Sequence, residues 1–247
     1  MGTRSALIAL ALIAQACAVV MPPAPPTVPI VSDEVHRNVR IDSNLVADPD
    51  ILAFLHPYSS RLTVSMGMVI AEAPYDITKA KPEGALGNLT ADMVRNAMVS
   101  LRGHVVHMAV INNGGLRVPI YKGPITVGRV YELMPFDNTL VLLKLSGAQV
   151  LSLADELAKF GGEPVSGIRF RIEDGKAADV LLGVNSVDPE AEYWVATHNY
   201  LADGGGDFPT LWKPLERVDF AVNLRDVFIR EFILHPNPEP RLEGRIR

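Results

Sequence analysis

The sequence predicts a mixed α+β sandwich for residues 48–247, and three observations carry that prediction. Several stretches place apolar residues at helical intervals, and shorter apolar or alternating runs of strand length are interspersed among them. Glycine-rich loops follow the ends of two of the strand-like runs. Runs over 165–184 follow each other closely enough for hairpins, which favours a mixed sheet over a purely parallel one.

The first helix is predicted from Asp48-Pro49, a carboxylate N-cap followed by proline at the first helical position, to about Met66. Its apolar stripe is Ile51, Leu52, Leu55, Tyr58 and Leu62, with Pro57 as a kink. "MVIAEA" (68–73) has the length of a strand. Residues 85–101 give the clearest helix, with Leu86, Leu89, Met93, Ala97 and Leu101 on one stripe and Asp92, Arg95 and Asn96 facing away. "HVVHMAVI" (104–111) reads as a buried strand, "TVGRVYELMPF" as a short helix running into a turn, and "TLVLLKLS" (139–146) as the next strand. Gly147 opens a second good helix, lined by Val150, Leu151, Ala154 and Leu157 and stopped by Gly161-Gly162. "VSGIRFRIE", "AADVLLGV" and "EYWVATHN" follow as strands. A last helix from about Asn223 to Leu234 buries Leu224, Val227, Phe228, Phe232 and Ile233.

The 247 residues are 48% hydrophobic and 21% charged, with a net charge of −5, so electrostatics gives no case for a nucleic-acid polymer or an anionic membrane surface. Arg4 precedes the short apolar block "SALIALALIAQA", which describes an export signal over residues 1–16 and places the mature chain in the periplasm or cell envelope. Cys17 is the only cysteine, so no intrachain disulfide forms. "AQAC" is similar to a bacterial lipobox, in which Cys17 would carry the lipid anchor; a simple signal peptide cleaved nearby is the alternative. Residues 17–47 begin with "CAVVMPPAPPTVP" and read as a proline-rich tether that belongs to no fold.

The histidines form no metal motif. There is no His-x-His, Asp-x-His or His-Glu-x-x-His, and His36, His56, His104, His107, His198 and His235 each read as structural. No Gly-x-Ser-x-Gly is present, and Ser166 has no obvious base. Three loops remain: "NNGGLR" (112–117), "MPFDN" (134–138) and "NYLADGGGDF" (199–208). Taken singly, the first reads sooner as a plain turn, and Phe136 and Tyr200 sooner as loop anchors. Together they hold two aromatics to stack a base, an arginine for phosphate or ribose, and a carboxylate for ribose hydroxyls.

In these residues the chain resembles the C-terminal, substrate-binding domain of the 5'-nucleotidase family, over roughly residues 75–247. The resemblance is carried by "EGALGNLTADMVRNA", "NNGGLR", "GPITVGRVYELMPFDNTLVLLKLSGAQV", "VSGIRFRI", "YLADGGGDF" and the terminal "EGRIR", in that order. It implies a mixed-sheet α-β-β-α layered sandwich. It also implies that Asn112 and Arg117 contact base and phosphate or ribose, that Phe136 and Tyr200 sandwich the base, and that Asn138 sits in the same turn. Asp207 stands one residue away from the position of the family's ribose-binding carboxylate. A second arginine that many members carry before the Leu-Gly-Asn segment is absent, with Lys81 and Pro82 in its neighbourhood.

Members cleave phosphate esters with a separate two-metal domain marked by Asp-x-His, Gly-Asp and Gly-Asn-His-Glu motifs. Apart from Gly206-Asp207, these are missing from the sequence. The expectation is therefore an exported recognition half with no catalytic residue and no metal site of its own. A separate metallophosphoesterase protein would bring the divalent metals, and a nucleoside monophosphate or related phosphorylated small molecule would be the ligand. A non-catalytic nucleotide-binding lipoprotein and a degenerate interaction domain are the alternatives.

Overall fold

The computed structural model describes residues 45–103 and 105–247. The export signal, Cys17, His36, His104 and the tether as far as residue 44 lie outside the described residues.

The first helix, α1 (Pro49–Met66), starts as its sequence dictates: Asp48 is the N-cap and its carboxylate accepts from the Asp50 and Ile51 amides. Its stripe is not buried, however. Ile51, Leu52, Leu55, Tyr58 and Leu62 are all exposed, because among the described residues α1 packs chiefly on the helix Val127–Leu133, with Met66, near the C-terminal end of α1, lying on Gly128. Strand β1 (Val69–Ala73) then pairs with β3 (Gly123–Thr126) as a two-stranded ribbon.

Helix α2 (Ala85–Arg102) buries Leu86, Met93, Val94, Ala97 and Met98. Asp92 does not face away to solvent: its carboxylate holds both Arg245 and Ser166. The predicted strand over 104–111 shortens to β2 (Met108–Val110), with Val105 exposed. Helix α3 (Val127–Leu133) is capped by Thr126, and α4 (Gly147–Lys159) by a Ser146–Gln149 capping box.

The central sheet has the order β10-β4-β9-β2-β5, formed by β10 (Glu216–Asn223), β4 (Thr139–Ser146), β9 (Glu192–His198), β2 and β5 (Val165–Ser166). All its pairs are antiparallel except β2 with β9, so the sheet is mixed. Strand β4 shows why the sheet sits between two layers. Leu140 and Leu142 pack with α2, α3 and α6 (Leu224–Leu234), while Val141, Leu143 and Leu145 pack with α4 on the opposite face. A three-stranded sheet of β6 (Ile168–Glu173), β7 (Lys176–Leu182) and β8 (Asn185–Ser186) joins α4 in that second core. The architecture is the expected layered α+β sandwich with a mixed sheet.

Two further details depart from expectation. "VSGIRFRIE" is two strands, broken at Gly167, whose φ of 77° turns the chain out of the central sheet and into the three-stranded one. In α6, Glu231 is buried and Ile233 exposed, the reverse of the predicted stripe for that turn.

Candidate functional site

The topology brings the three loops to one end of the central sheet. Strands β2 and β9 are parallel, so their C-terminal ends lie together. Strand β4 is antiparallel to β9 and opposes its own beginning to that end, with Leu140 paired to His198. The loop after β2 (112–117), the turn before β4 (134–138) and the short helix α5 (Asn199–Ala202) after β9 therefore meet. Between them is a cavity of about 290 Å³ lined by Asn112, Gly114, Gly115, Arg117, Phe136, Asn138 and Tyr200.

Five of the six residues singled out from the sequence thus share one cavity. Asp207 does not line it. It follows Gly206 in a short 3-10 turn and has a φ of 52°. The two aromatics are open to solvent, Phe136 to 42% and Tyr200 to 50%, so neither ring plugs the core. Arg117 is exposed, has its guanidinium 6.0 Å from the centre of the Phe136 ring, and has no carboxylate partner among the described residues. Its charge is available to an anion in the cavity.

Each loop is fixed from behind. The 112–117 turn carries internal bonds from the Gly115 amide to the Asn112 carbonyl (3.1 Å) and from the Leu116 amide to the Asn113 carbonyl (3.3 Å). The Lys79 ammonium donates to the Asn113 and Leu116 carbonyls, and the Glu163 carboxylate accepts from the Asn113 amide at 2.5 Å. Lys81 is taken up by Glu163 and by the Phe160 carbonyl, and it does not line the cavity. Gly205 lets the third loop close under Tyr200: a Cβ there would stand 2.5 Å from the ring and 2.6 Å from the Tyr200 carbonyl oxygen.

Two residues that frame the site escape sequence reasoning. Arg225 is largely buried and donates to the Met134 and Phe136 carbonyls and to the Asp137 carboxylate, so it holds the turn that presents Phe136. The available signal is a cation in the first turn of α6, where the helix dipole disfavours positive charge. The Leu224 amide donates to the Asn138 carbonyl at 2.7 Å, so the same helix start anchors Asn138. The second residue is His198. It is fully buried, its Nε2 lies 3.2 Å from the Asn112 Oδ1, and its ring stacks on Tyr200 at 6.2 Å and 11°. Burial lowers its pKa from 6.5 to about 4, so the ring is neutral. His107 serves the sheet: its Nδ1 accepts from the Trp194 amide, and burial followed by Arg95 lowers its pKa.

Among the described residues no three His, Cys, Asp or Glu side chains are placed to hold a metal ion. The donors at the cavity are amides, an arginine and two rings, a set suited to a stacked heterocycle carrying an anion and not to a divalent cation.

Comparison with known proteins matches residues 65–213 to the family described as 5'-nucleotidase, C-terminal domain. The chain is 30% identical over 179 residues to the endonuclease YhcR of Bacillus subtilis, covering 68% of this chain and 14% of that protein. It is 26% identical over 191 residues to a 5'-nucleotidase of Vibrio vulnificus, covering 72% of this chain and 33% of that one. In three dimensions it is similar to the crystal structure of a 5'-nucleotidase precursor from Thermus thermophilus. There the TM-score is 0.69 at 33% identity, over 80% of this chain and 42% of that one. The chain spans less than half the length of each of these relatives.

Proposed function

Because this chain belongs to the 5'-nucleotidase C-terminal-domain family, we propose that it is the nucleotide-recognition half of a 5'-nucleotidase-type phosphohydrolase. The observation that carries the reading is the cavity in which Asn112, Arg117, Phe136, Asn138 and Tyr200 converge. The rings of Phe136 and Tyr200 stack a nucleobase, the side-chain amides of Asn112 and Asn138 meet its polar edge or the ribose, and Arg117 draws in the phosphate. The described residues place no three His, Cys, Asp or Glu side chains where they could hold a metal ion. The chemistry of a metal-activated hydroxide would belong to a separate metallophosphoesterase protein, against which this chain docks with its ligand. An export signal over residues 1–16 and a lipid on Cys17 would hold the pair in the periplasm or cell envelope. A second reading, in which the chain captures a nucleoside or nucleotide without any chemistry, rests on the same cavity, whereas the position of Asp207 off it favours a degenerate interaction domain.

Calorimetry with AMP tests the pocket. Phe136→Ala and Tyr200→Ala should each weaken binding by about 1–3 kcal/mol, the usual worth of a stacked base; unchanged heats in both would remove the pocket from consideration. Mixing the wild-type chain with a candidate metallophosphoesterase tests the division of labour. AMP hydrolysis should exceed that of the partner alone and should fall with the Phe136 and Tyr200 variants. Equal rates with and without this chain would leave only the capture reading.

A further inference from the structure

The nucleotide reading leaves His198 without a role, and its surroundings assign one. The ring is buried at the end of β9, directly behind Asn112, and is covered on one face by Tyr200. Its Nε2 meets the Asn112 Oδ1 at 3.2 Å, while its Nδ1 is buried with no partner among the described residues. The Asn112 Nδ2 has no acceptor among the described residues either, and Asn112 lines the cavity.

Two arrangements of this pair are conceivable, and hydrogen-bond accounting separates them. The Asn112 Oδ1 can only accept, so in the first arrangement the proton sits on the His198 Nε2 and the Nδ1 is a bare lone pair. If the amide were reversed, its Nδ2 would donate to Nε2 and the neutral ring would carry its proton on Nδ1. That N–H would then be buried with nothing to accept it, which is the costlier of the two vacancies and is rarely tolerated in protein interiors. Burial holds the His198 pKa down at about 4, so the ring is neutral in either arrangement and the vacancy at Nδ1 decides between them.

Resting on the nucleotide reading, we propose that His198 is a positioning residue. It pins the Asn112 carbonyl inward, so that the cavity is offered the amide N–H₂, and the site thereby selects a heterocycle that turns a hydrogen-bond acceptor toward Asn112. A purine ring nitrogen is such an acceptor. The imidazole also backs the Tyr200 ring, so one buried side chain sets both the polar and the stacking contact.

The test uses the purified full chain and has two arms. The first is ligand-free: ¹⁵N NMR of the His198 ring near neutral pH should show a neutral imidazole protonated at Nε2. A proton on Nδ1, or an imidazolium, overturns the proposal whatever binds. The second measures AMP and its 1-deaza, 3-deaza and 7-deaza analogues against wild type, His198→Leu and His198→Gln. One analogue should bind wild type more weakly than AMP, and that discrimination should shrink in His198→Leu, where the amide can rotate. AMP binding itself should weaken by roughly 3- to 10-fold in His198→Leu, the worth of one ordered hydrogen bond. His198→Gln retains a donor and should restore both properties. Equal losses in the two variants, or undiminished discrimination in a His198→Leu protein that melts like wild type, would overturn it. Failure of wild type to bind any of the four ligands removes the nucleotide reading and the selection that rests on it, while the tautomer still decides the orientation of the amide.

Discussion

At neutral pH the His198 imidazole is buried and uncharged, and that has a consequence for stability as well as for recognition. Its pKa falls from 6.5 in the unfolded chain to about 4 in the folded one. Above pH 6.5 both states are neutral and the folded protein loses nothing. Below 6.5 the unfolded chain binds a proton that the folded chain refuses, so stability drops until the folded state also protonates near pH 4. The loss attributable to this group is roughly 3 kcal/mol across that window. Urea unfolding of wild type and His198→Gln at pH 7, 5.5 and 4.5 should show the steeper decline in wild type, with carboxylate effects common to both. Parallel declines would mean that the imidazole is protonated in the folded state. Sequence reasoning gave His198 a structural role because a lone histidine at a strand end carries no signal of what stands opposite. Its partner Asn112 lies 86 residues away, and only the parallel pairing of β2 with β9 brings them together. Phe136, Tyr200 and Arg117 were legible for the opposite reason, being residue types that short glycine-rich loops have little intrinsic need for.

At the scale of elements, periodicity located most helices and strands, and it failed where burial depended on neighbours. The α1 stripe has helical spacing, yet no described element covers most of it, because a hydrophobic period reveals an amphipathic helix without revealing what lies against it. Strand β10 was missed for the converse reason. It is an edge strand in which Val218, Phe220 and Val222 alternate, but they are only partly buried or exposed and stand among Glu216, Arg217 and Asp219, whose charges pair with Lys144, Asp203 and one another and dilute the apolar signal. The break at Gly167 is an element-level feature with a large expected effect. Its φ of 77° is unfavourable for a side chain, and a Cβ there would run into the His107 carbonyl oxygen. Gly167→Ala should therefore cost at least about 2 kcal/mol, since strain and a backbone clash add. A chemical-denaturation midpoint equal to that of wild type would show that β5 and β6 tolerate a smoother connection than the one described.

On the scale of the whole molecule, the motif "EGRIR" is a clasp. Arg245 is buried between the layers, where its guanidinium forks onto both oxygens of Asp92 at 2.9 and 2.7 Å and donates to the Val165 carbonyl at 2.7 Å. The backbone beside it is held as well. The Glu83 carboxylate accepts from the Glu243 and Arg245 amides, the Phe170 amide donates to the Arg245 carbonyl, and the Ile172 amide donates to the Arg247 carbonyl. One short segment thus ties α2, β5 and β6 together, joining the two hydrophobic cores that flank the central sheet. The sequence could not disclose this, because a Glu-Gly-Arg-Ile terminus has the composition of a surface tail and its partner Asp92 is 153 residues distant. Arg245→Met keeps the length of the side chain and removes the fork, leaving Asp92 half-exposed and the Val165 carbonyl without its donor. The expected cost is about 2–3 kcal/mol, the range for a hydrogen-bonded charge with one partner still reached by water. Arg245 does not line the cavity proposed for the nucleotide, so AMP affinity measured well below the melting temperature should stay within about twofold of wild type, as expected for sites that share no partners. An Arg245→Met protein as stable as wild type would show that the clasp contributes nothing. A stable variant that had lost AMP binding would instead mean that the clasp reaches the loops through the sheet.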